Sequence, residues 1–132
     1  MSNVPVVDAS VLAPVLADAG NDGQRFRSRL RGETIFGPDL LRIEVISVLR
    51  RHASTGRLTS EQADAAISDL LAFPIRVFPT TPLLRRVWEL RFNLSAYDSC
   101  YVALAEAVDA VLLTADQRLA NAPGPRCHIE AL

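Results

Sequence analysis

The segment VPVVDAS, residues 4–10, predicts both the first strand of the fold and the first acid of a site. Its apolar run ends at Asp8, and Pro5 is tolerable there because it stands where a strand begins. The segment VLLTAD, residues 111–116, repeats this pattern near the other end of the chain and ends in Asp116. Short strands of continuous hydrophobicity are typical of a parallel sheet whose two faces are both covered by helices.

Between and around these two segments, predicted helices alternate with predicted strands. Further strands are expected at residues 34–36, 75–78 and 127–129. Helices are expected at residues 10–19 and 24–31, after residue 39, after residue 59, at residues 81–92, from residue 95 through residue 105, and briefly after residue 116. This alternation predicts an α/β fold, specifically a three-layer α/β/α sandwich around a central, mostly parallel sheet, with residues 1–132 forming one domain.

Polar residues at four positions are predicted to cap these helices. Asp39 is expected to cap a helix that carries Glu44 in its second turn, and Thr59 opens another helix with the spacing of a capping box. Thr81 stands before a proline at the first helical position. Ser95 has the same capping spacing as Thr59, which places the acid at position 98 in the first turn of its helix.

Four acids are therefore expected at one edge of the sheet. Asp8 and Asp116 follow the carboxyl ends of parallel strands, where open α/β sheets bind their ligands. Glu44 and Asp98 lie near the starts of helices, which begin at the same edge. Like charges gathered in one crevice favour a bound cation, and Mg²⁺ or Mn²⁺ prefers such hard oxygen ligands. The sequence thus predicts metal-dependent hydrolysis.

Each acid also has a purely structural interpretation. Asp8, Asp98 and Asp116 stand where a carboxylate caps a helix, and Glu44 is compatible with an exposed helix face. Their joint placement at one sheet edge is what favours the functional interpretation.

Charge and hydropathy restrict the classes of partner. The net charge is −1, which argues against nucleic-acid binding through a global basic field, so phosphate contacts must be local. All fourteen cationic residues are arginines, whose planar fork suits phosphate. The candidate RNA-binding residues are Arg25, Arg27, Arg29, Arg50 and Arg51, and a solvated helix face is the alternative. The apolar stretches are too short to span a membrane, so we expect a soluble, cytoplasmic protein.

The segments at residues 6–10, 38–51, 97–105 and 112–116 resemble the PIN-domain ribonucleases, and within them the VapC-type toxins of bacterial toxin–antitoxin pairs. The resemblance spans essentially the whole chain. It implies that Asp8, Glu44 and Asp98 are the core catalytic and metal-binding acids and that Asp116 is a fourth, more variable member.

The same resemblance implies further properties of the site and of its partners. Ser10 and Thr114 match positions that often carry a hydroxyl beside the metal. Ser47 is a departure, because the family frequently has asparagine there. The implied activity is Mg²⁺- or Mn²⁺-dependent endonucleolytic cleavage of structured RNA by the toxin of a type II toxin–antitoxin system. A cognate antitoxin protein blocks that activity, and a homodimer is the usual assembly.

Several alternatives are open on the sequence alone. A housekeeping RNA-processing nuclease and a non-catalytic binding module of the same fold both fit. Haloacid-dehalogenase-like phosphatases also place an aspartate after the first strand, but they need a second one where this chain has Ser10. A dinucleotide-binding protein is disfavoured because no G-x-G-x-x-G motif follows the first strand.

Overall fold

The central sheet determines where the four predicted acids lie. All of its strands are parallel. The computed structural model describes residues 2–132. The strands are β1 (Val6–Val7), β2 (Ile35–Pro38), β3 (Ile75–Phe78), β4 (Leu112–Thr114) and β5 (Ile129–Ala131). Their order is β3-β2-β1-β4-β5, so β1 lies between β2 and β4. The strand order reverses there, and such a switch point opens a crevice at the carboxyl ends of the strands.

The helices form two groups around this sheet. They are α1 (Ala9–Ala17), α2 (Asn21–Leu30), α3 (Leu41–Ser54), α4 (Ser60–Ala72), α5 (Leu84–Glu89), α6 (Ala96–Val108) and α7 (Gln117–Asn121). Helix α1 packs against α2, α3 and α4, whereas α6 packs against α5 and against β1, β2 and β4. Right-handed crossovers put the two groups on opposite faces of the sheet. The predicted three-layer α/β/α class is confirmed.

The middle of the sheet is the centre of the core. Val6 and Val7 of β1 and Leu112 and Leu113 of β4 are completely buried. Each such side chain stabilises the fold by roughly 1.5–3 kcal/mol relative to an exposed one. The carboxyl ends of β1 and β4, which Asp8 and Asp116 follow, therefore lie beside the most deeply buried part of the core. Among residues 2–132, no helix combines the length and the apolar content needed to cross a bilayer.

Two of the predicted capping interactions are present. The Thr59 hydroxyl accepts from the Gln62 backbone N–H at 3.1 Å, and the Gln62 side chain accepts from the Thr59 N–H at 2.9 Å, which completes a capping box. The Ser95 hydroxyl accepts from the Asp98 N–H at 3.1 Å. Asp98 therefore lies in the first turn of α6, as predicted.

The prediction for the start of α3 is wrong. Asp39 caps nothing: its backbone N–H donates to the carbonyl of Phe78 at 2.9 Å, which continues the pairing of β2 with β3. Helix α3 starts after Leu40 without a side-chain cap, so Glu44 falls in its first turn rather than its second. At Gly37, an added Cβ would lie 2.5 Å from the buried Leu41 side chain. This close approach allows the start of α3 to pack against β2.

The helix predicted at residues 81–92 is also shorter and less regular than expected. Thr81 makes no capping bond and lies inside a 3₁₀ turn (Thr81–Leu83), from which α5 continues only to Glu89. After α5 the backbone tightens, because the Arg91 N–H donates to the carbonyl of Trp88, three residues back.

The remaining element boundaries shift by a few residues. The last strand lies at 129–131 rather than 127–129, because its register is set by pairing Ile129 with Leu112 of β4. Helix α1 ends before Asp18, whose carboxylate accepts from the Gly20 N–H at 2.7 Å and turns the chain.

Candidate functional site

Asp8 lies at the end of β1, where it is both a helix cap and a member of the acidic crevice. Its Oδ1 accepts from the Ser10 N–H at 3.1 Å and from the Ser10 hydroxyl at 2.5 Å. Its Oδ2 accepts from the Thr114 hydroxyl at 2.6 Å. The residue is only 6% exposed, and the partners on both oxygens fix the orientation of its carboxylate.

Ser10 and Thr114 also join the end of β4 to the start of α1. The Ser10 hydroxyl accepts from the Ala115 N–H at 2.8 Å, and the Thr114 hydroxyl accepts from the Asp116 N–H at 3.1 Å. Each hydroxyl thus donates to Asp8 and accepts from the loop after β4. We call this arrangement of Ser10 and Thr114 the hydroxyl clamp.

Glu44 is positioned by a residue that sequence analysis did not single out. The buried Tyr101 hydroxyl donates to Glu44 Oε1 at 2.5 Å, across from α6 to α3. Burial raises the pKa of Tyr101 strongly, and the bond to Glu44 raises it further, so the phenol remains a donor. The available signal was spacing: Tyr101 follows Asp98 by three residues, which places both on one face of α6.

The acids share one electrostatic environment. Burial is the largest cause that raises the pKa of Asp8, of Glu44 and of Asp98 above its usual value. The negative charge of Asp98 raises the pKa of Asp8, and the charges of Asp8 and Asp98 both raise that of Glu44. Hydrogen bonds from Ser10 and Thr114 partly oppose the rise at Asp8. The crevice thus gathers negative charge that its own hydrogen bonds offset only in part.

Asp116 lies at the other end of the crevice and caps α7. Its Oδ1 accepts from the Arg118 N–H at 2.9 Å. The negative charge of Asp116 raises the pKa of Asp98, whereas the positive charge of Arg118 lowers it. Asp98, Asp116 and Arg118 line one groove of about 290 Å³. The structure therefore brings all four predicted acids to the same sheet edge, where their charges interact.

The donor set suits a hard cation, although the side chains do not form a closed cage. Among residues 2–132, no three His, Cys, Asp or Glu side chains are arranged so that they could hold a metal ion as they stand. Mg²⁺ does not need such a cage, because it usually keeps several waters and takes only one or two carboxylates. A cation would also relieve the repulsion that raises the three pKa values. The residues present therefore fit a hydrated divalent ion.

Comparison with known proteins identifies the family. The PIN domain model matches residues 6–125. The chain belongs to the PIN-domain family. Ribonuclease VapC9 of Mycobacterium tuberculosis is 41% identical over 124 residues, which cover 94% of each chain. Ribonuclease VapC1 of the same organism is 40% identical over 126 residues and 95% of each chain. The resemblance to VapC-type ribonucleases is confirmed.

Solved structures share the fold of this PIN domain. The sarcin-ricin loop cleaving toxin VapC20 of M. tuberculosis superposes with a TM-score of 0.68 at 16% identity, covering 88% of this chain and 92% of that one. VapBC2 of Rickettsia felis, solved bound to a promoter DNA fragment, gives a TM-score of 0.69 at 13% identity and 98% coverage of both chains.

The candidate RNA-binding arginines of this PIN domain differ in their surroundings. Arg25 pairs with Asp22 at 2.8 Å, and Arg29 pairs with Glu130 at 2.9 Å. Arg27 donates to backbone carbonyls at the end of α1, among them that of Asp18 at 2.7 Å. These contacts are sufficient to explain all three arginines without RNA.

Arg50 and Arg51 are the exceptions among these candidates. Both are exposed, and within residues 2–132 neither forms an ion pair. Arg51 lines a groove together with Glu44 and with Ser47, the residue that departs from the family pattern. RNA binding by the five arginines stays a prediction.

Proposed function

We propose that this chain acts, as a single domain, as a Mg²⁺- or Mn²⁺-dependent endoribonuclease, and that it is the toxin of a type II toxin–antitoxin pair. One observation carries the proposal: Asp8, Glu44, Asp98 and Asp116 meet at the switch point of a PIN-family sheet, and burial and mutual repulsion raise the pKa of the first three. Such an arrangement is costly for stability unless a cation is bound.

Asp8, Glu44 and Asp98 are the candidates to hold the ion, one or two of them directly and the others through its waters, and Asp116 is a further candidate. When bound, a divalent ion supplies polarisation of the scissile phosphodiester and a lowered pKa for the attacking water. The chain's own contribution is orientation. The hydroxyl clamp fixes both oxygens of Asp8, and Tyr101 fixes one oxygen of Glu44. These carboxylates are therefore placed before substrate arrives, so little reorganisation is needed.

Arg118 supplies a cation at the rim of this acidic crevice. Its side chain is 92% exposed, and its Nε lies 3.5 Å from Asp116 Oδ1. An exposed ion pair at that distance is weak. The guanidinium is therefore available to a phosphate of the RNA backbone, which needs such a contact to approach four carboxylates.

The named relatives support the choice of substrate and partner. VapC9 and VapC1 are called ribonucleases, and VapC20 is described as a toxin that cleaves the sarcin-ricin loop. The R. felis VapBC2 structure supports a cognate antitoxin as the protein partner. We infer a structured RNA as substrate, an antitoxin as inhibitor and a homodimer as the assembly.

The proposal is tested by incubating the purified chain with total RNA in Mg²⁺, in Mn²⁺ and in EDTA. We expect discrete cleavage products with either cation and intact RNA in EDTA. Cleavage that persists in EDTA, or no cleavage with any cation, would contradict it. Growth arrest on expression, relieved by co-expression of a short gene immediately upstream, separates a toxin from a housekeeping nuclease.

A further inference from the structure

A second groove opens beside the acidic crevice, on the side of α3. It has a volume of about 510 Å³, and its lining includes Ala9, Ile43, Glu44, Arg51 and Tyr97. Small-molecule sites usually begin at roughly 300 Å³, so one nucleotide fits this space. Because Glu44 belongs to both, whatever occupies the groove lies next to the reacting phosphate.

The lining of the groove includes two large side chains that are mostly exposed. Tyr97 is 63% exposed and Ile43 is 71% exposed. Tyr97 directly precedes Asp98, so its ring and the acid share the first turn of α6. Exposed aromatic surface beside a polar site is typical of ligand recognition rather than of folding. A tyrosine ring presents a flat π-face on which any nucleic-acid base can stack.

Arg51 supplies a positive charge, which attracts the phosphates of a nucleic-acid strand. Arg25 and Arg29 are neutralised by Asp22 and Glu130, whereas the exposed Arg51 has no ion-pair partner among residues 2–132. Its planar fork is suited to bidentate contact with a phosphate. The groove thus combines an aromatic face, an apolar wall and a free guanidinium.

We propose that this groove is a nucleotide subsite, in which one unpaired RNA base stacks on Tyr97 while Arg51 binds a neighbouring backbone phosphate. The inference rests on the proposed nuclease function and specifies the substrate at the cleaved position. A base inside a duplex has both faces covered by its neighbours, so stacking on Tyr97 requires a base that is splayed out of a helix. The free Arg51 guanidinium favours this occupant over an apolar protein segment.

The first test measures stacking without cleavage. A short single-stranded oligoribonucleotide that carries 2-aminopurine is titrated with protein in EDTA at low salt, and quenching of its fluorescence reports base stacking. We expect Tyr97→Ala to weaken binding about 5- to 150-fold, the range for losing one stacked base, and to reduce the quenching. Tyr97→Phe keeps the π-face and should bind within about twofold of wild type.

Two results in this titration would overturn the subsite. One is unchanged binding and quenching in Tyr97→Ala. The other is a loss in Tyr97→Phe as large as in Tyr97→Ala, because that would assign the effect to the hydroxyl rather than to the ring. Tyr97 is exposed, so circular dichroism should show all these variants folded.

The second test separates Arg51 from general charge. Arg51→Gln should weaken binding and lower the slope of log affinity against log salt by about 0.7, the value for one phosphate contact to a single strand. Arg50→Gln removes the same charge from the adjacent exposed position, outside the groove lining, and should cost less. Equal losses in the two variants would refute a specific role for Arg51.

These measurements distinguish failure of the subsite from failure of the nuclease proposal. Tyr97-dependent binding by a protein that cuts no RNA supports the subsite and contradicts the nuclease. Cleavage with Tyr97-independent binding supports the nuclease and overturns the subsite. If Tyr97→Ala instead weakens only inhibition by a co-expressed antitoxin, the groove belongs to a protein segment and the subsite is refuted.

Discussion

Two groups of carboxylates in this molecule have opposite environments. In the acidic crevice, the partners of Asp8 and Glu44 are neutral hydroxyls and an amide, and both pKa values are raised. Between α5 and α6, Glu106 accepts from the Arg86 guanidinium at 2.7 and 3.1 Å and from the Arg126 N–H at 2.7 Å. Despite the cost of its burial, the pKa of Glu106 is lowered.

The contrast identifies Glu106 as a carboxylate that stabilises the fold. Glu106 has its counter-charge within the chain, and it ties α5 to α6 and to the loop after α7. Asp8 and Glu44 have oriented donors, but no arginine in the described part of the chain pairs with either of them. The chain has fourteen arginines, so one could have been placed beside Asp8. Arg118, the arginine at the rim of this crevice, pairs weakly with Asp116, so the charges of Asp8 and Glu44 leave room for a cation from outside the chain.

The largest effect is expected from Asp8→Asn, which keeps the shape of the side chain and removes its charge. We expect RNA cleavage in Mg²⁺ to fall at least about 10²-fold, comparable to the loss of one electrostatic transition-state contact. The domain should stay folded, because the amide oxygen still accepts from Ser10. The matched control is Asp64→Asn on the exposed side of α4, which should leave cleavage unchanged. Wild-type cleavage by Asp8→Asn would refute the assignment.

The next largest effect should be stabilisation by Mn²⁺. An ion that binds only the folded state at about 100 times its Kd adds about 2.7 kcal/mol to the free energy of unfolding. Thermal melts should therefore show a higher Tm in Mn²⁺ than in EDTA. The shift should disappear in Asp8→Asn and persist in Glu106→Gln. An equal shift in both variants would place the ion outside the crevice.

Two matched substitutions contrast the two groups of carboxylates in the metal-free protein. Glu106→Gln loses charge-assisted bonds to Arg86 and should lower the free energy of unfolding by about 1–2 kcal/mol, since the pair is partly exposed. Glu44→Gln keeps an oxygen for Tyr101 and removes repulsion, so its Tm in EDTA should equal or exceed that of wild type. A Tm loss in Glu44→Gln as large as in Glu106→Gln would remove the distinction between the two groups.

The smallest expected effect is the pH dependence of stability in EDTA. Because the folded-state pKa values of Asp8, Glu44 and Asp98 are raised, the folded protein binds more protons, and their contribution to stability falls as pH rises through those values. For Glu106 the folded-state pKa is lowered, so its contribution is present above the unfolded value and is lost on acidification.

Melts across this acidic range check the sign of each contribution. Relative to wild type, Asp8→Asn should lose less stability as pH rises, whereas Glu106→Gln should lose less as pH falls. Mn²⁺ should remove the decline at rising pH. Identical pH profiles for the two variants would contradict the opposite shifts.

The sequence predicted where the acids lie more accurately than it predicted which residues contact them. Asp8 and Asp116 could be placed because a continuous apolar run ending in an acid marks the end of a buried strand. The start of the helix that carries Glu44 was predicted one residue too early, because Asp39 has the local pattern of a helix cap although its backbone pairs with Phe78. Tyr101 was missed because an aromatic residue in an apolar helix is usually a core residue. The pairing of Arg29 with Glu130 was not predicted, because the two residues lie 101 positions apart in the sequence.

The hydroxyl clamp has a consequence for when the protein becomes active. Thr114 lies 106 positions after the Asp8 carboxylate to which it donates, and β4 completes the pairing of β1. A chain emerging from the ribosome therefore carries Asp8 early but cannot lock it until almost the entire sequence has been synthesised, and closing so long a loop is slow. In an unfinished chain the Asp8 carboxylate therefore lacks its Thr114 partner, so the acidic crevice is completed only when the fold is completed.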